Sequence, residues 1–178
     1  RTPLSAVGLR AENAGNLFGM TAFRDGLFEV QDAGSQTIAA LCNAQPGMKV
    51  TDYCAGAGGK TLALAATMAN KGVLTSGDII EPKTGEMKKR LKRAGVDNAQ
   101  IQVWPITGKN VWLKRHKNTQ DLVLLDVPCS GSGVWRRNPD AKWVLTEERL
   151  NELCEIQQSI LQQTASLVKE GDRLVYAT

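Results

Sequence analysis

The chain has 178 residues, 42% of them hydrophobic and 22% charged, which is typical of one soluble globular domain with a sizeable core. Its net charge of +4 does not by itself indicate a nucleic-acid partner. A run of about 18 apolar residues, which a membrane span needs, is absent, and the first residues lack the apolar core of a signal peptide. We therefore expect a cytoplasmic protein with no membrane partner. Because the chain does not begin with Met, we also expect it to start partway into a longer protein.

The cysteines and the histidine argue against a metal centre. Cys42, Cys54, Cys129 and Cys154 form no CxxC pair, and His116 is the only histidine. A disulfide framework and a zinc site are both disfavoured, so we predict no metal. The helical patterns around Cys42 and Cys154 predict that both are small core residues.

In chain order, the sequence predicts an irregular start followed by alternating helices and strands. Turn signals at "NAG" and "RDG" indicate irregular or hairpin structure over residues 1–30. The predicted helices are "SQTIAALCNA", "TLALAATMANK", "PKTGEMKKRLKRAG" up to Gly95, and "TEERLNELCEIQQSILQQTASLVKEG", from an N-cap at Thr146 to Gly171. The predicted strands are "KVTDYC", "GVLTSGD", "AQIQVW", "DLVLLDV" and "DRLVYAT".

Strands that alternate with helices predict the α/β class, with a doubly wound and mostly parallel sheet. The run "DLVLLDV" contains a continuous apolar stretch, "LVLL", as expected of a parallel strand that is buried on both faces. Such sheets bind ligands at the carboxyl ends of their strands, where the strand order reverses. Polar stretches follow three predicted strands, at residues 52–60, from Asp78 and from Asp126. We expect a binding site where these stretches meet.

The stretch "DYCAGAGGKT" places Gly56, Gly58 and Gly59 between a strand and a helix. Glycines there let a ligand touch the backbone, and the helix behind them offers free N–H groups. Cys54 stands where a Walker loop needs its first glycine, and Thr61 where a dinucleotide fingerprint needs its third. The loop therefore predicts a ligand site that is neither of these common phosphate-binding motifs.

An acidic residue, Asp78, closes the second predicted strand and is suited to accept hydrogen bonds from a ribose diol. The glycine loop and this acid together suit an adenosine-type ligand. S-adenosylmethionine offers a ribose, an adenine and a charged amino-acid tail, and we predict it as the cofactor.

A thiol follows the most apolar strand, in the stretch "DVPC". Pro128 stiffens the backbone that presents Cys129, so we expect Cys129 to point into the same cleft. Arg136 and Arg137 follow closely and are suited to hold a phosphate.

A methyl donor beside a thiol and an acid suggests pyrimidine chemistry. A thiolate that adds to carbon 6 of cytosine makes carbon 5 nucleophilic, and carbon 5 then attacks the methyl group of the donor. Loss of the carbon-5 proton and of the thiolate releases the methylated product.

Four stretches occur in a characteristic order: "FEVQDAGSQ", "DYCAGAGGKT", "DVPCSGSGVWRRNPDAKW" and "LVYAT". In sequence and spacing they resemble motifs of the Sun/Nop family of RNA cytosine-carbon-5 methyltransferases. The resemblance covers residues 25–178 and is greatest to the bacterial branch that modifies small-subunit ribosomal RNA. It implies a class I, Rossmann-like methyltransferase core over residues 31–178, incomplete after the fifth strand. Residues 1–30 would then be the end of an RNA-binding region, and we expect a monomer.

The same resemblance implies roles for individual residues. The implied cofactor contacts are Cys54, Ala55, Gly56, Ala57, Gly58, Gly59, Lys60, Asp78 and Asp126. The residues implied to lie near the RNA are Arg136, Arg137 and Lys142. Asp126 and Pro128 would face the cytosine, and Cys129 would assist release of the product from the covalent adduct.

The family's attacking cysteine belongs to a motif Tyr-Ala-Thr-Cys-Ser after the fifth strand, and this chain ends at Thr178. We therefore expect a fragment that lacks its own attacking thiol. Two alternatives remain open: that Cys129 is itself the nucleophile, as in DNA cytosine methyltransferases, or that the chain is a non-catalytic module that binds cofactor or RNA. A nucleotide-dependent oxidoreductase is disfavoured by the missing fingerprint glycine.

The sequence departs from the family pattern after the third strand, where an Asp usually contacts the adenine side of the cofactor. The stretch "VWPITGKN" has no acid. We expect either that Trp104 or Ile106 stacks on the cofactor instead, or that cofactor binding is weak.

Overall fold

The computed structural model describes residues 5–13 and 15–178 and confirms the predicted α/β fold class. The five strands, all parallel and in the order β3-β2-β1-β4-β5, are β1 (Lys49–Asp52), β2 (Val73–Asp78), β3 (Ala99–Val103), β4 (Gln120–Asp126) and β5 (Val168–Ala177). The α-helices are α1 (Thr21–Arg24), α2 (Ala33–Cys42), α3 (Gly59–Thr67), α4 (Glu81–Arg93), α5 (Val111–Arg115) and α6 (Glu147–Thr164). Short 3₁₀ helices lie at Leu17–Gly19, Ser132–Val134, Pro139–Lys142 and Ala165–Leu167. Over the described ranges, no helix has both the length and the apolar character needed to cross a membrane.

Helices cover both faces of the sheet because β4 is apolar on both. Leu122 and Leu124 pack into a core cluster with residues of α2 and α3. Val123 and Leu125, which point to the opposite face, pack with Leu113 of α5 and with the end of α6. Each such buried aliphatic side chain contributes about 1.5–3 kcal/mol. The strand that ends at Asp126 is therefore held firmly from both sides.

The strand order reverses beside β1, since β2 and β3 extend the sheet on one side of it and β4 and β5 on the other. Asp52 ends β1 and pairs in register with Leu124 of β4, two residues before Asp126. The carboxyl ends of β1 and β4 thus lie side by side at the switch point, where open α/β sheets bind ligands. This is the place predicted from the sequence.

The predicted helix that runs to Gly171 is too long. It begins as expected, because the Thr146 hydroxyl accepts a hydrogen bond from Arg149 N at 3.2 Å, but it ends at Thr164. Leu167 is then buried in the core, and Val168 already pairs with Gln120 as the first residue of β5. Burial of Leu167 and strand pairing override the helical pattern, so Gly171 lies inside β5.

Of the two predicted alternatives, irregular structure or a hairpin, the amino-terminal segment shows the first over residues 15–30, where short helical turns and irregular backbone pack against α4. Phe18 and Phe28 both contact Phe23, with ring centroids 5.0 and 5.6 Å apart. Arg93 of α4 stacks over Phe23 at 4.0 Å and pairs with Glu29. The turn signal at "RDG" is confirmed, because Asp25 and Gly26 form a turn directly after α1, with φ +76 at Gly26. The signal at "NAG" includes position 14, which lies outside the described residues.

Candidate active site

A cleft of ≈ 220 Å³ opens at the switch point of the sheet. Its lining combines residues predicted from the sequence with others that were not. The predicted ones are Cys54, Ala55, Gly59, Lys60 and Asp126, together with Asp52 from the predicted polar stretch 52–60. The others are Val30, Gln31, Asp32, Ser35 and Arg90. The cleft is therefore mainly polar and carries charge of both signs.

An ion pair spans the cleft. Lys60, in the first turn of α3, donates to Asp126 Oδ2 at 2.5 Å and to Ser35 Oγ at 3.3 Å. The two charged side chains are 12% and 34% exposed, so water screens their attraction only partly. The pair fixes the Asp126 carboxylate against the glycine loop. The structure thus brings together two residues that the sequence analysis had assigned to one site.

Asp52 is fully buried and lines the cleft. Its Oδ2 accepts a hydrogen bond from the Thr61 hydroxyl at 2.7 Å, whereas Oδ1 has no hydrogen-bond partner in the part of the chain that the structure describes. Burial, helped by the negative charges of Asp126 and Asp78, raises the pKa of Asp52 to about 7, although Thr61 and Lys60 oppose the change. A buried oxygen without a partner is costly. It therefore suits a ligand that brings an N–H group or a positive charge.

The glycine loop is tied to the end of β2 by Asp78. One Asp78 oxygen accepts from Gly56 N at 2.9 Å and the other from Ile80 N at 2.9 Å. Gly58 has φ +82, and a Cβ there would lie 2.5 Å from Met87 Cγ, so glycine is needed for both conformation and packing. A carboxylate oxygen can accept a second hydrogen bond, which leaves Asp78 able to bind a ribose hydroxyl while it holds the loop.

Arg90 contacts the loop from α4. Its Nη1 donates to Ala57 O at 2.8 Å and its Nη2 to Glu29 Oε2 at 3.2 Å. The guanidinium therefore connects the amino-terminal segment to the glycine loop at the wall of the cleft. Sequence reasoning missed Arg90, because α4 carries several cations and nothing in their spacing distinguishes this one. The quoted stretch "FEVQDAGSQ" did contain a signal for Gln31, Asp32 and Ser35, but no role was assigned to them.

Pro128 and Cys129 lie just beyond the cleft. Both are exposed and neither lines it, so the expectation that Cys129 points into the cleft is not met by this conformation. Pro128 O accepts a hydrogen bond from Gln157 Nε2 of α6 at 2.8 Å. Their catalytic roles stay predictions.

The remaining thiols divide between core and surface. Cys42 is a core residue as expected, and burial raises its pKa to about 11. Cys154 is exposed on α6, so the prediction that it is buried was wrong. Among the described residues, no group of three or more His, Cys, Asp or Glu side chains is arranged to hold a metal ion.

Trp104 is not available to stack on a cofactor, which corrects one of the expectations for the third strand. Its side chain is 3% exposed and lies against Gly77, where a Cβ would be 2.3 Å from Trp104 Cε2. The indole N–H donates to Tyr53 O at 2.7 Å, and the two rings stack with centroids 4.9 Å apart. Trp104 therefore holds the backbone immediately before Cys54. Ile106, the other candidate, is exposed.

The predicted RNA contacts belong to an exposed segment, residues 128–146, that we term the basic loop. Arg136, Arg137 and Lys142 are all exposed there. Arg137 Nη2 lies 3.7 Å from Asp32 Oδ2, and Asp32 lines the cleft. The basic loop thus reaches the edge of the cleft at Arg137.

Comparison with known proteins gives a consistent result. A family model described as 16S rRNA methyltransferase RsmB/F matches residues 39–178. The probable ribosomal RNA small subunit methyltransferase B of Synechocystis sp. is 36% identical over 172 residues, which are 96% of this chain and 38% of that relative. The crystal structure of PH0851 matches with TM-score 0.81 and 34% identity, over 88% of this chain and 35% of that one. The structure of NSun6 from Pyrococcus horikoshii with SFG matches with TM-score 0.79 and 26% identity, over 90% and 40%.

The matched residues include all five strands, the glycine loop, the Lys60–Asp126 pair and the basic loop. The chain spans 38% of the length of its Synechocystis relative. Both the Rossmann-like fold and the resemblance drawn from the four sequence motifs are confirmed. The chain belongs to the 16S rRNA methyltransferase RsmB/F family.

Proposed function

We propose that this chain forms the S-adenosylmethionine-binding core of an enzyme that methylates carbon 5 of a cytosine in small-subunit ribosomal RNA. The observation that carries the proposal is the polar cleft at the switch point, where the glycine loop, the buried Asp52 and the Lys60–Asp126 pair meet. Membership of the family supports the reaction class, and the name of the Synechocystis relative supports the RNA substrate. Residues 1–30 would form the end of an RNA-binding region.

The residues of the cleft fit the cofactor. S-adenosylmethionine supplies an electrophilic methyl group. Asp52 Oδ1, which has no partner among the described residues, would accept from the ammonium of its amino-acid tail, since a buried acceptor is stabilised by a cation. Gly59 and Lys60 offer backbone N–H groups at the start of α3, whereas those of Ala55, Gly56 and Gly58 already donate within the protein. Asp78 would bind the ribose hydroxyls.

Asp126 would accept a hydrogen bond from the exocyclic amine of the cytosine and, once N3 is protonated in the adduct, from N3–H, with Lys60 fixing the orientation of the carboxylate. We propose that the attacking thiol is the residue after Thr178. The thiolate adds to carbon 6, and carbon 5 takes the methyl group from the sulfonium, whose sulfur–methyl bond breaks to leave a neutral thioether. A base removes the carbon-5 proton, and the sulfur–carbon 6 bond then breaks to return the thiolate. In this scheme Cys129 assists the last step.

The test uses the chain extended to the length of its relatives, with small-subunit ribosomal RNA and labelled S-adenosylmethionine. Mass spectrometry of the digested RNA should find the label on carbon 5 of cytosine. Cys129→Ala should accumulate a covalent RNA adduct that survives denaturant, and Cys154→Ala, which removes the exposed thiol of α6, should behave as wild type. Replacing the cysteine expected after Thr178 should abolish adduct and product together.

Two outcomes would contradict the proposal. Label on another base or another atom would contradict methylation of carbon 5 of cytosine. Loss of the adduct in Cys129→Ala would make Cys129 the nucleophile, as in the alternative left open by the sequence.

A further inference from the structure

The basic loop exposes aromatic surface beside its cations. Trp143 is 78% exposed and Trp135 37% exposed, and Val144 next to Trp143 is exposed as well. Tryptophan is normally among the more buried residues. An indole left almost entirely in water is therefore a candidate contact surface.

The two indoles are held by local structure. Trp143 N donates to Asp140 O at 3.0 Å, at the end of the 3₁₀ helix Pro139–Lys142. Trp135 N donates to Ser132 O at 3.4 Å, at the end of Ser132–Val134. These two short helices are in contact with each other. The aromatic side chains therefore project from a folded unit.

The charges around the indoles favour a polyanion. Lys142 Nζ lies 4.7 Å from the centroid of the Trp143 ring, a cation–π arrangement that keeps one charge beside the aromatic face. Arg136 and Arg137 are exposed in the same loop, and Asp140 is the only acid among residues 128–146. The loop therefore carries an excess of positive charge.

Aromatic faces beside cations are the combination that binds single-stranded nucleic acid. Bases stack on the rings while the cations neutralise the phosphates. Duplex RNA is recognised mostly by its shape and backbone, because its bases are already stacked on one another. An exposed indole therefore has no base face to stack on in a duplex. The contact between Arg137 and Asp32 connects this surface to the cleft.

We propose that Trp143 stacks on an unpaired base of the RNA, next to the cytosine that enters the cleft, while Lys142 and Arg136 bind the adjoining phosphates. This inference rests on the proposed function, because it concerns the same RNA. It adds a substrate requirement: the nucleotides beside the target must be unpaired.

The test measures binding of a short single-stranded oligocytidine to the chain by fluorescence anisotropy over a range of salt concentrations. Trp143→Ala and Trp143→Leu should each weaken binding about 5- to 150-fold, the loss of one base stack. Trp143→Phe, which keeps an aromatic ring, should bind close to wild type. The slope of affinity against salt should not change in any of the three, because stacking releases no counterions. Lys71→Gln, which removes an exposed cation from the opposite edge of the sheet, is the control and should have little effect.

The outcomes separate this inference from the proposed function. If all Trp143 variants bind like wild type, while Arg136→Gln flattens the salt dependence, the stacking surface is refuted but RNA binding stands, and the indole then covers a protein surface instead. Equal affinity of Trp143→Leu and wild type would show an apolar contact without stacking and would also overturn the inference. If the unsubstituted chain does not bind the oligonucleotide at all, the proposed RNA substrate fails as well.

Discussion

The cleft and the basic loop differ in how their charged side chains are held. In the cleft, Lys60 pairs with Asp126, and Asp52 is buried against Thr61, while Asp78 accepts two backbone hydrogen bonds behind the glycine loop. In the basic loop, the cations are exposed, and the Arg137–Asp32 pair is long, at 3.7 Å.

This difference matches two kinds of ligand. A small cofactor of fixed shape is bound best by groups that are already oriented, because little entropy is then lost on binding. A flexible strand needs charge and ring surface more than fixed geometry. Substitutions in the cleft should therefore change stability and cofactor affinity, whereas substitutions in the basic loop should change RNA affinity alone.

The largest effect that we expect in the cleft comes from Asp52. Its pKa is about 7 in the folded chain against 3.8 for an ordinary carboxyl. Between these values the folded state keeps a proton on Asp52 that the unfolded state has lost. The contribution of Asp52 to the free energy of unfolding is therefore fully present below about pH 4 and is lost as the pH rises to about 7. The fall should be on the order of 4 kcal/mol, since each unit of pKa shift corresponds to about 1.4 kcal/mol.

Urea unfolding of the wild type and of Asp52→Asn at a series of pH values checks this prediction. The amide oxygen can still accept from Thr61, so the variant should fold, but it should lack this pH dependence. Parallel curves for the two proteins would contradict a raised pKa. If the cofactor's ammonium faces Asp52, calorimetry near pH 7 in buffers of different ionisation enthalpy should also detect proton release on cofactor binding.

The next effect concerns cofactor affinity. Asp78→Ala should weaken S-adenosylmethionine binding by roughly 1.5–3 kcal/mol, the scale of a hydrogen bond to a charged group. Titration calorimetry measures this directly. Asp97→Ala removes an exposed carboxylate before β3, at the amino edge of the sheet, and should bind like wild type. Equal affinity of Asp78→Ala and wild type would remove Asp78 from the cofactor site.

The strand–helix order and the position of the site could be predicted from the sequence because they depend on local patterns. The apolar run of β4 requires burial on both faces, and Asp52, Asp78 and Asp126 each end a strand at the same edge of the sheet. The end of α6 could not be predicted in this way, because burial of Leu167 and pairing of Val168 with Gln120 depend on tertiary contacts.

The features of the site that sequence reasoning missed depend on contacts between distant parts of the chain. Arg90 is distinguished from its neighbours by reaching Ala57 O of the glycine loop, since Arg93 also pairs with Glu29. Trp104 was expected at the cofactor, but its N–H is committed to Tyr53 O and its ring fills the space above Gly77. Burial of Asp52 with one unpaired oxygen is likewise visible only once β1 is surrounded.

Double-mutant cycles compare the two regions directly. In urea unfolding, Lys60→Met and Asp126→Asn should show a coupling energy of about 0.5–3 kcal/mol, because the pair is partly buried. Arg137→Gln and Asp32→Asn should be coupled by less than about 0.5 kcal/mol, since their side chains are 64% and 52% exposed. Asn at position 32 can still accept the Gly34 N–H that caps α2, so the helix start is preserved. Similar coupling in the two pairs would contradict the distinction drawn between the cleft and the basic loop.

The smallest change in stability should come from replacing Arg136 and Arg137 together by Gln. Both side chains are exposed, and the substitution removes a long, solvent-exposed ion pair with Asp32, so the free energy of unfolding should stay within about 0.5 kcal/mol of wild type. Binding of single-stranded RNA should nevertheless weaken by a similar factor for every sequence. The slope of affinity against salt should flatten by up to about 0.7 for each phosphate that the variant no longer neutralises.

Lys114→Gln with Arg115→Gln, which removes two exposed cations from α5, is the matched control and should leave the slope close to wild type. An unchanged slope in the Arg136 and Arg137 variant would remove both arginines from the path of the RNA, whereas a large loss of stability would show that the basic loop is held as firmly as the cleft.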